Sequence, residues 1–182
     1  PDKVNMDSSK IQIALDYAFA QGQNTQGVVV IRHGVIVAEQ YAEGSDKASI
    51  ATSWSTAKSF NSALMGIAID KGYVSSEEIS AAEFISEWAG NDKKNITIKN
   101  LLQMSSGLVE EGTSAYGDGA IMYIGEENED GTSDPNRPVD NVLYSINRSI
   151  NPSRAPWLGA SYNWSYQNAD SQVLSEIIER AT

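Results

Sequence analysis

SWSTAKSF at residues 53–60 contains a serine and a lysine at the spacing of one helical turn, Ser55 and Lys58. Side chains three residues apart lie on the same face of an α-helix, so the ammonium can reach the hydroxyl. Serine is a weak nucleophile until an adjacent base takes its proton, and a lysine does so where burial or nearby positive charge favours its neutral form. The spacing therefore predicts Ser55 as a nucleophile and Lys58 as its base.

The residues after the motif continue a helical pattern from Trp54 to a stop at Gly72. Its predicted apolar stripe is Ala57, Leu64, Ile67 and Ala68. Trp54, Ala57 and Phe60 are expected to give Lys58 apolar surroundings, and N–H groups at the start of the helix are expected to help stabilise an oxyanion. Short motifs also occur by chance, so a solvated helix turn is the alternative for this stretch.

The N-terminal part of the chain predicts one helix and one hairpin. Helical spacing of apolar residues predicts an amphipathic helix over residues 9–21. Two β-branched runs, 28–31 and 35–38, are joined through Arg32, His33 and Gly34, which predicts a β-hairpin at about 27–40 with His33 exposed in its turn.

Towards the C-terminus the pattern predicts two more helices around a long irregular stretch. Thr97 is the predicted N-cap of a short helix that ends by Gly107. Residues 108–142 are rich in glycine and acidic residues and predict a surface excursion, a type of segment that is usually functional or mobile. A last amphipathic helix is expected from about Ala169 to the C-terminus.

Composition excludes several classes of function. The chain has 182 residues, 41% of them hydrophobic, and a net charge of −11, so it can bury a core and is expected to bind neither nucleic acid nor an anionic membrane. No apolar run is long enough for a membrane span. With one histidine and no cysteine, zinc and a Ser-His-Asp triad are disfavoured, and no cofactor is expected.

The acidic stretch 126–134 raises one metal alternative. It follows the opening spacing of a calcium loop, but Arg137 occupies the position that requires a bidentate glutamate. A solvated acidic loop is the preferred interpretation.

Three blocks of sequence carry a family resemblance. Residues 53–60 resemble the nucleophile helix of class C β-lactamases, family VIII esterases, D-aminopeptidases and nylon-oligomer hydrolases. Residues 96–108, ITIKNLLQMSSGL, resemble the I-T-I-x-x-L-L-x-x-x-S-G-L signature of the same penicillin-recognising group and are the most specific block. Tyr166-Gln167-Asn168 and the residues that follow are similar to its Tyr-x-Asn element. The three blocks occur in the family's order.

The resemblance implies a role for each site residue. Ser55 would form an acyl-enzyme, Lys58 would accept its proton, and Tyr166 would relay a proton to the leaving group and later activate water. Asn168 would hydrogen-bond Lys58 or the substrate carbonyl. Structural alternatives are a half-buried aromatic residue for Tyr166 and a helix N-cap for Asn168.

The resemblance also implies an α/β (α+β), β-lactamase-like fold, in which a helical region, about 53–182, packs on an antiparallel sheet. The family's Lys-Thr-Gly-like or His-x-Gly triplet and its C-terminal strands are absent from this chain. Residues 1–182 are therefore expected to be the N-terminal portion of one such domain, completed by a second polypeptide or a missing C-terminal segment. Without them, the hairpin would leave an open apolar edge.

The function that the resemblance implies is a serine hydrolase acting on ester or amide bonds of small molecules, with a periplasmic or secreted location. Pocket residues are expected within 108–165, with four aromatic or acidic candidates, Tyr116, Asp118, Tyr123 and Trp157. Two alternatives stay open: a non-catalytic or stalled penicillin-recognising sensor, and a D-amino-acid peptidase or β-lactamase.

Overall fold

The computed structural model describes residues 4–109, 126–127, 133–134, 140–155 and 164–182, and these residues include a β-hairpin and five α-helices. The chain divides into two compact units, Pro1–Ser53 and Trp54–Thr182. The candidate pocket residues Tyr116, Asp118, Tyr123 and Trp157 lie outside the described residues, as does most of the acidic stretch 126–134.

Helix α1, Ser8–Ala18, begins the first unit. Its N-cap is Asp7, whose carboxylate accepts hydrogen bonds from the Ser9 and Lys10 amides at 2.8 and 3.3 Å. Such a carboxylate satisfies amide groups that have no partner within the helix. The predicted helix is confirmed, but it starts one residue earlier than expected and ends at Ala18 rather than at residue 21.

The predicted hairpin is confirmed. Strand β1, Gly27–Arg32, pairs antiparallel with β2, Val35–Tyr41, and the register shifts between Val30 and Ile31. His33 and Gly34 form the turn with φ of 50° and 75°, and left-handed conformation at both positions is typical of the type I′ turn, whose twist matches that of the strands. His33 is exposed, as expected. Apolar side chains of both strands remain exposed: Val29, Ile31, Val35 and Ile36.

The second unit is mainly helical. Its α-helices are α2 Thr56–Asp70, α3 Ile98–Leu102, α4 Asn141–Asn147 and α5 Asn168–Ala181. Single 3₁₀ turns lie at Ala81–Glu83, Ser86–Trp88, Asp92–Asn95 and Pro152–Arg154. Two-residue strands β3, Glu126–Glu127, and β4, Ser133–Asp134, pair antiparallel.

One hydrophobic core joins these helices. Its largest fully buried members are Trp88, Met65, Ile85, Ile96, Ile98, Leu101, Ile146 and Ile177. The Trp88 indole N–H donates to the Ile146 carbonyl oxygen at 2.8 Å, so the polar atom of this large side chain is satisfied in the core. The predicted apolar face of the last helix is confirmed in α5, where Val173, Leu174 and Ile177 are buried.

The buried face of α2 differs from the predicted stripe. Met65 and Ala68 are buried, whereas Leu64 and Ile67 are about half exposed. Because α2 carries apolar residues on more than one face, periodicity alone could not decide which face enters this core. The predicted stop is confirmed: α2 ends at Asp70, and Gly72 has a φ of 77°.

Helix α3 begins as predicted but ends early. Thr97 is the N-cap, and a capping box pairs it with Asn100. The helix stops at Leu102, not by Gly107, and Met104 takes a left-handed φ of 54°. The chain then passes through Gly107, whose amide oxygen accepts from the Asn151 amide at 2.8 Å.

Gly107 lies where a side chain does not fit. Its φ is 75°, and a Cβ atom there would lie 2.2 Å from the Arg154 carbonyl oxygen. Gly107→Ala is therefore expected to lower the free energy of unfolding by about 3 kcal/mol or more, as judged by urea denaturation. Gly90→Ala is the control, because nothing lies within 4 Å of its Cβ position, and we expect a change within about 0.5 kcal/mol. Equal effects of the two substitutions would contradict this account of Gly107.

Candidate active site

Ser55 lies immediately before the first residue of α2. It is the N-cap by position, with φ −69° and ψ −7°, but its side chain makes no capping hydrogen bond. The side chain is exposed, and its hydroxyl is thus left available for interactions outside the helix. Trp54, the preceding residue, has a left-handed φ of 47°, a conformation that costs energy in a bulky residue and often occurs at functional sites.

Lys58 is one helical turn beyond Ser55 and bridges two elements. Its Nζ donates to Ser55 Oγ at 3.1 Å and to Asn168 Oδ1 at 2.6 Å. The first distance agrees with the prediction from the Ser-x-x-Lys spacing. The ammonium therefore lies between the hydroxyl of the α2 N-terminus and the first residue of α5.

The apolar surroundings expected around Lys58 differ from those observed. Trp54 and Phe60 are 70% and 65% exposed, and Ala57 is exposed as well. Lys58 itself is partly buried. The described contacts of its ammonium group are polar, with Ser55 and Asn168.

Tyr166 reaches the same place from residues 164–167, a segment that is neither helix nor strand and directly precedes α5. Lys58 Nζ lies 5.1 Å from the centroid of its ring, within the range of a cation–π contact. Hydrogen bonding with the Ser55 hydroxyl is the largest cause that lowers the pKa of the Tyr166 phenol; Lys58 lowers it further, and partial burial opposes both. The phenol is half exposed, which leaves it open to a substrate.

Asn168 is the first residue of α5, and Gln167 is the N-cap. The structural alternative that made Asn168 an N-cap is therefore wrong. Its side-chain oxygen instead accepts from Lys58. The structure thus brings together all four residues that the sequence singled out, Ser55, Lys58, Tyr166 and Asn168.

Asn61 is a site neighbour that the sequence analysis missed. Its Nδ2 donates to Ser171 O, Ser171 Oγ and Ser175 Oγ at 3.1, 2.9 and 2.8 Å. These bonds join α2 to α5 one turn beyond the contact of Lys58 with Asn168. Asn61 lies on the same face of α2 as the buried Met65 and Ala68, but the predicted stripe did not include Met65, so the pattern carried no signal for this position.

The family to which this chain belongs is shown by a match over most of its length. The model of the β-lactamase family, described as "Beta-lactamase", matches residues 15–182. The chain belongs to the β-lactamase family. A comparison with curated proteins finds no match.

A solved structure supports the β-lactamase-like fold. The structure named "Putative 6-aminohexanoate-dimer hydrolase from Bacillus anthracis" matches with a TM-score of 0.69 and 19% sequence identity. The match covers 94% of this β-lactamase-family chain and 42% of that chain, so this chain spans less than half of its length. The predicted fold class is confirmed, and family membership supports a function of the serine hydrolase type.

Neither a metal-binding group of side chains nor a membrane-spanning helix is found among the described residues. No group of three or more histidine, cysteine, aspartate or glutamate side chains in that part of the chain is placed to hold a metal ion. Within the same residues, no helix combines the length and apolar character needed to cross a bilayer.

Proposed function

We propose that this chain provides the nucleophile, base and proton relay of a serine hydrolase that cleaves ester or amide bonds of small molecules through an acyl-enzyme. Ser55 is the nucleophile, Lys58 is its base and Tyr166 is the second proton carrier. Asn168 orients Lys58 and contributes to substrate binding.

One observation carries the proposal: the Lys58 Nζ lies 3.1 Å from Ser55 Oγ and 2.6 Å from Asn168 Oδ1. A nucleophile, a base within hydrogen-bond reach and a third group that orients the base form the arrangement by which enzymes activate serine. Because the Ser55 hydroxyl makes no capping hydrogen bond, its deprotonation breaks no hydrogen bond that stabilises the helix.

Acylation follows from this geometry. When neutral, the Lys58 amine accepts the Ser55 proton while Oγ attacks the substrate carbonyl carbon. The tetrahedral oxyanion is stabilised by N–H groups at the start of α2, which also carry the positive end of the helix dipole. Collapse breaks the bond to the alcohol or amine leaving group, which receives a proton through Tyr166.

Deacylation uses the same groups in reverse. Tyr166 accepts a proton from water, the resulting hydroxide attacks the acyl carbon, and Ser55 leaves with a proton returned from Lys58. The lowered pKa of the Tyr166 phenol favours this step, because more of the phenol is available as phenolate at a given pH.

A second oxyanion donor is proposed to come from a strand supplied by a further segment or a second polypeptide. The exposed apolar residues of the hairpin, Val29, Ile31, Val35 and Ile36, support the addition of further strands to this sheet. Two-stranded sheets are marginally stable on their own, so further strands would also stabilise the hairpin.

Small linear esters and amides are the substrates we propose to test first. The name of the solved relative includes 6-aminohexanoate dimer, which is a linear amide. The net charge of −11 favours neutral or cationic substrates over anionic ones.

Turnover of p-nitrophenyl butyrate tests the proposal. We expect many equivalents of p-nitrophenol per enzyme molecule, with the 6-aminohexanoate dimer as the amide substrate. Release of one equivalent followed by arrest would indicate the stalled sensor. Faster cleavage of a chromogenic cephalosporin or a D-alanyl peptide would indicate the β-lactamase or peptidase alternative, and no acyl transfer to any substrate would contradict the proposal.

A further inference from the structure

The segment that carries Tyr166 alternates between exposed and buried side chains. Trp164 and Tyr166 are 62% and 50% exposed, whereas Ser165 and Gln167 are 9% and 3% exposed. The backbone at Gln167 is extended, with φ −151° and ψ 158°, and successive side chains of an extended backbone point to opposite sides. Gln167 therefore points away from the surface that presents Tyr166, although the two residues share a peptide bond.

On the buried side, Gln167 contacts a compact polar cluster. Its Nε2 donates to Asp170 Oδ1 at 3.0 Å and to Ser106 Oγ at 3.2 Å. Ser106 Oγ in turn donates to Asp170 Oδ1 at 2.5 Å and accepts from the Leu108 amide at 3.2 Å. Ser106 and Asp170 are both fully buried.

This cluster connects two of the sequence blocks. Ser106 belongs to residues 96–108, and Gln167 and Asp170 belong to the Tyr-Gln-Asn segment and the first turn of α5. The Ser165 amide adds a backbone bond to the Met104 carbonyl oxygen at 2.8 Å. The residues 96–108 therefore support the segment that carries Tyr166 and Asn168 without contributing a reacting group.

Stability alone is a poor explanation for this cluster. Burying a carboxylate and an amide carries a desolvation cost, and apolar residues of similar volume often give equal or greater stability. What hydrogen bonds provide, and apolar packing does not, is direction: two bonds to one side-chain nitrogen restrict the rotation of the backbone on both sides of Gln167.

We propose that Gln167, Ser106 and Asp170 form a buried clamp that holds Tyr166 and Asn168 against Lys58, and that the three are positioning residues for proton transfer at Ser55. The clamp rests on the proposed function. The Lys58 ammonium lies 5.1 Å from the centroid of the Tyr166 ring. Loss of the clamp would let Tyr166 move away from this ammonium and would lengthen the hydrogen bond between Asn168 and Lys58.

Gln167→Met tests the clamp, because methionine keeps the length of the side chain but donates no hydrogen bond. With p-nitrophenyl butyrate we expect kcat to fall about 10-fold, which is less than the full rate contribution of a positioned acid–base group. We expect KM to change less than about twofold. In the pH profile of kcat, activity is expected to rise as Tyr166 loses its proton. This rise should move to higher pH in the variant, because the phenol moves away from the groups that lower its pKa. Asp170→Asn keeps an acceptor oxygen and is expected to retain more activity than Asp170→Ala.

Ser145→Ala is the matched control. Ser145 is 4% exposed and donates to the Asn141 carbonyl oxygen at 2.7 Å within α4, so its loss removes a buried hydrogen bond that does not involve the Tyr-Gln-Asn segment. We expect a lower urea midpoint with the kcat and pH profile of the unsubstituted protein. If Gln167→Met does not fold, Ser106→Ala carries the same test with the same expected result.

Two outcomes separate this inference from the proposed function. Unchanged kcat and pH profile in folded Gln167→Met and Ser106→Ala, with activity lost in Tyr166→Phe, would overturn the clamp alone. Full activity in Tyr166→Phe would overturn the proposed function and the clamp with it.

Discussion

Lys58→Ala is expected to reduce kcat/KM for p-nitrophenyl butyrate by about 10⁴-fold, equivalent to about 5 kcal/mol of transition-state stabilisation. The side chain that lies 3.1 Å from Ser55 Oγ would be lost, and in the described structure no other amine contacts that hydroxyl. Most of the loss should appear in kcat, since the proton moves in the transition state and not on binding. Initial-rate measurements over a range of substrate concentrations separate the two constants.

Lys71→Ala is the control for this substitution. Lys71 is the exposed C-cap residue of the same helix, at the end opposite Ser55. We expect its kcat/KM to match that of the unsubstituted protein. Comparable activity of Lys58→Ala and Lys71→Ala would exclude Lys58 as the base.

Tyr166→Phe is expected to reduce kcat by about 10³-fold and to lower KM as well, because slow deacylation leaves the enzyme mainly in the acylated form. The substitution removes one oxygen and leaves the ring over the Lys58 ammonium, so noncovalent substrate binding and packing are expected to change little. Because Tyr166 is proposed to activate water, acyl-enzyme should accumulate, and stopped-flow measurement should show a burst of p-nitrophenol before a slow steady state.

Tyr73→Phe is the control, because it removes a phenol oxygen away from the site. Tyr73 is 53% exposed and follows the end of α2, so we expect unchanged kinetics. A Tyr166→Phe enzyme without a burst and without loss of kcat would contradict the role of the phenol as a proton carrier.

Local sequence signals predicted several turns and helix ends. The hairpin through Arg32, His33 and Gly34, the Thr97 N-cap and the Gly72 stop were all confirmed, because each depends on the conformational preferences of a few adjacent residues. The closeness of Ser55 and Lys58 also followed from helical spacing alone.

Contacts between residues far apart in the sequence could not be predicted from the spacing of residue types. Helix α2 carries apolar residues on several faces, so the burial of Met65 in preference to Leu64 depends on the position of α5. Asn61 gains its three bonds from residues more than a hundred positions away. Only the resemblance to a family, and no pattern within the chain, predicted that Tyr166 would lie beside Lys58.

Covalent labelling of the protein with a fluorophosphonate, followed by peptide mapping, tests the central claim most directly. We predict one adduct per chain, located on Ser55, with no labelling of a folded Ser55→Ala variant and greatly slowed labelling of Lys58→Ala. An adduct on another residue, or an unlabelled Ser55 in a folded protein, would contradict the assignment of Ser55 as an activated nucleophile.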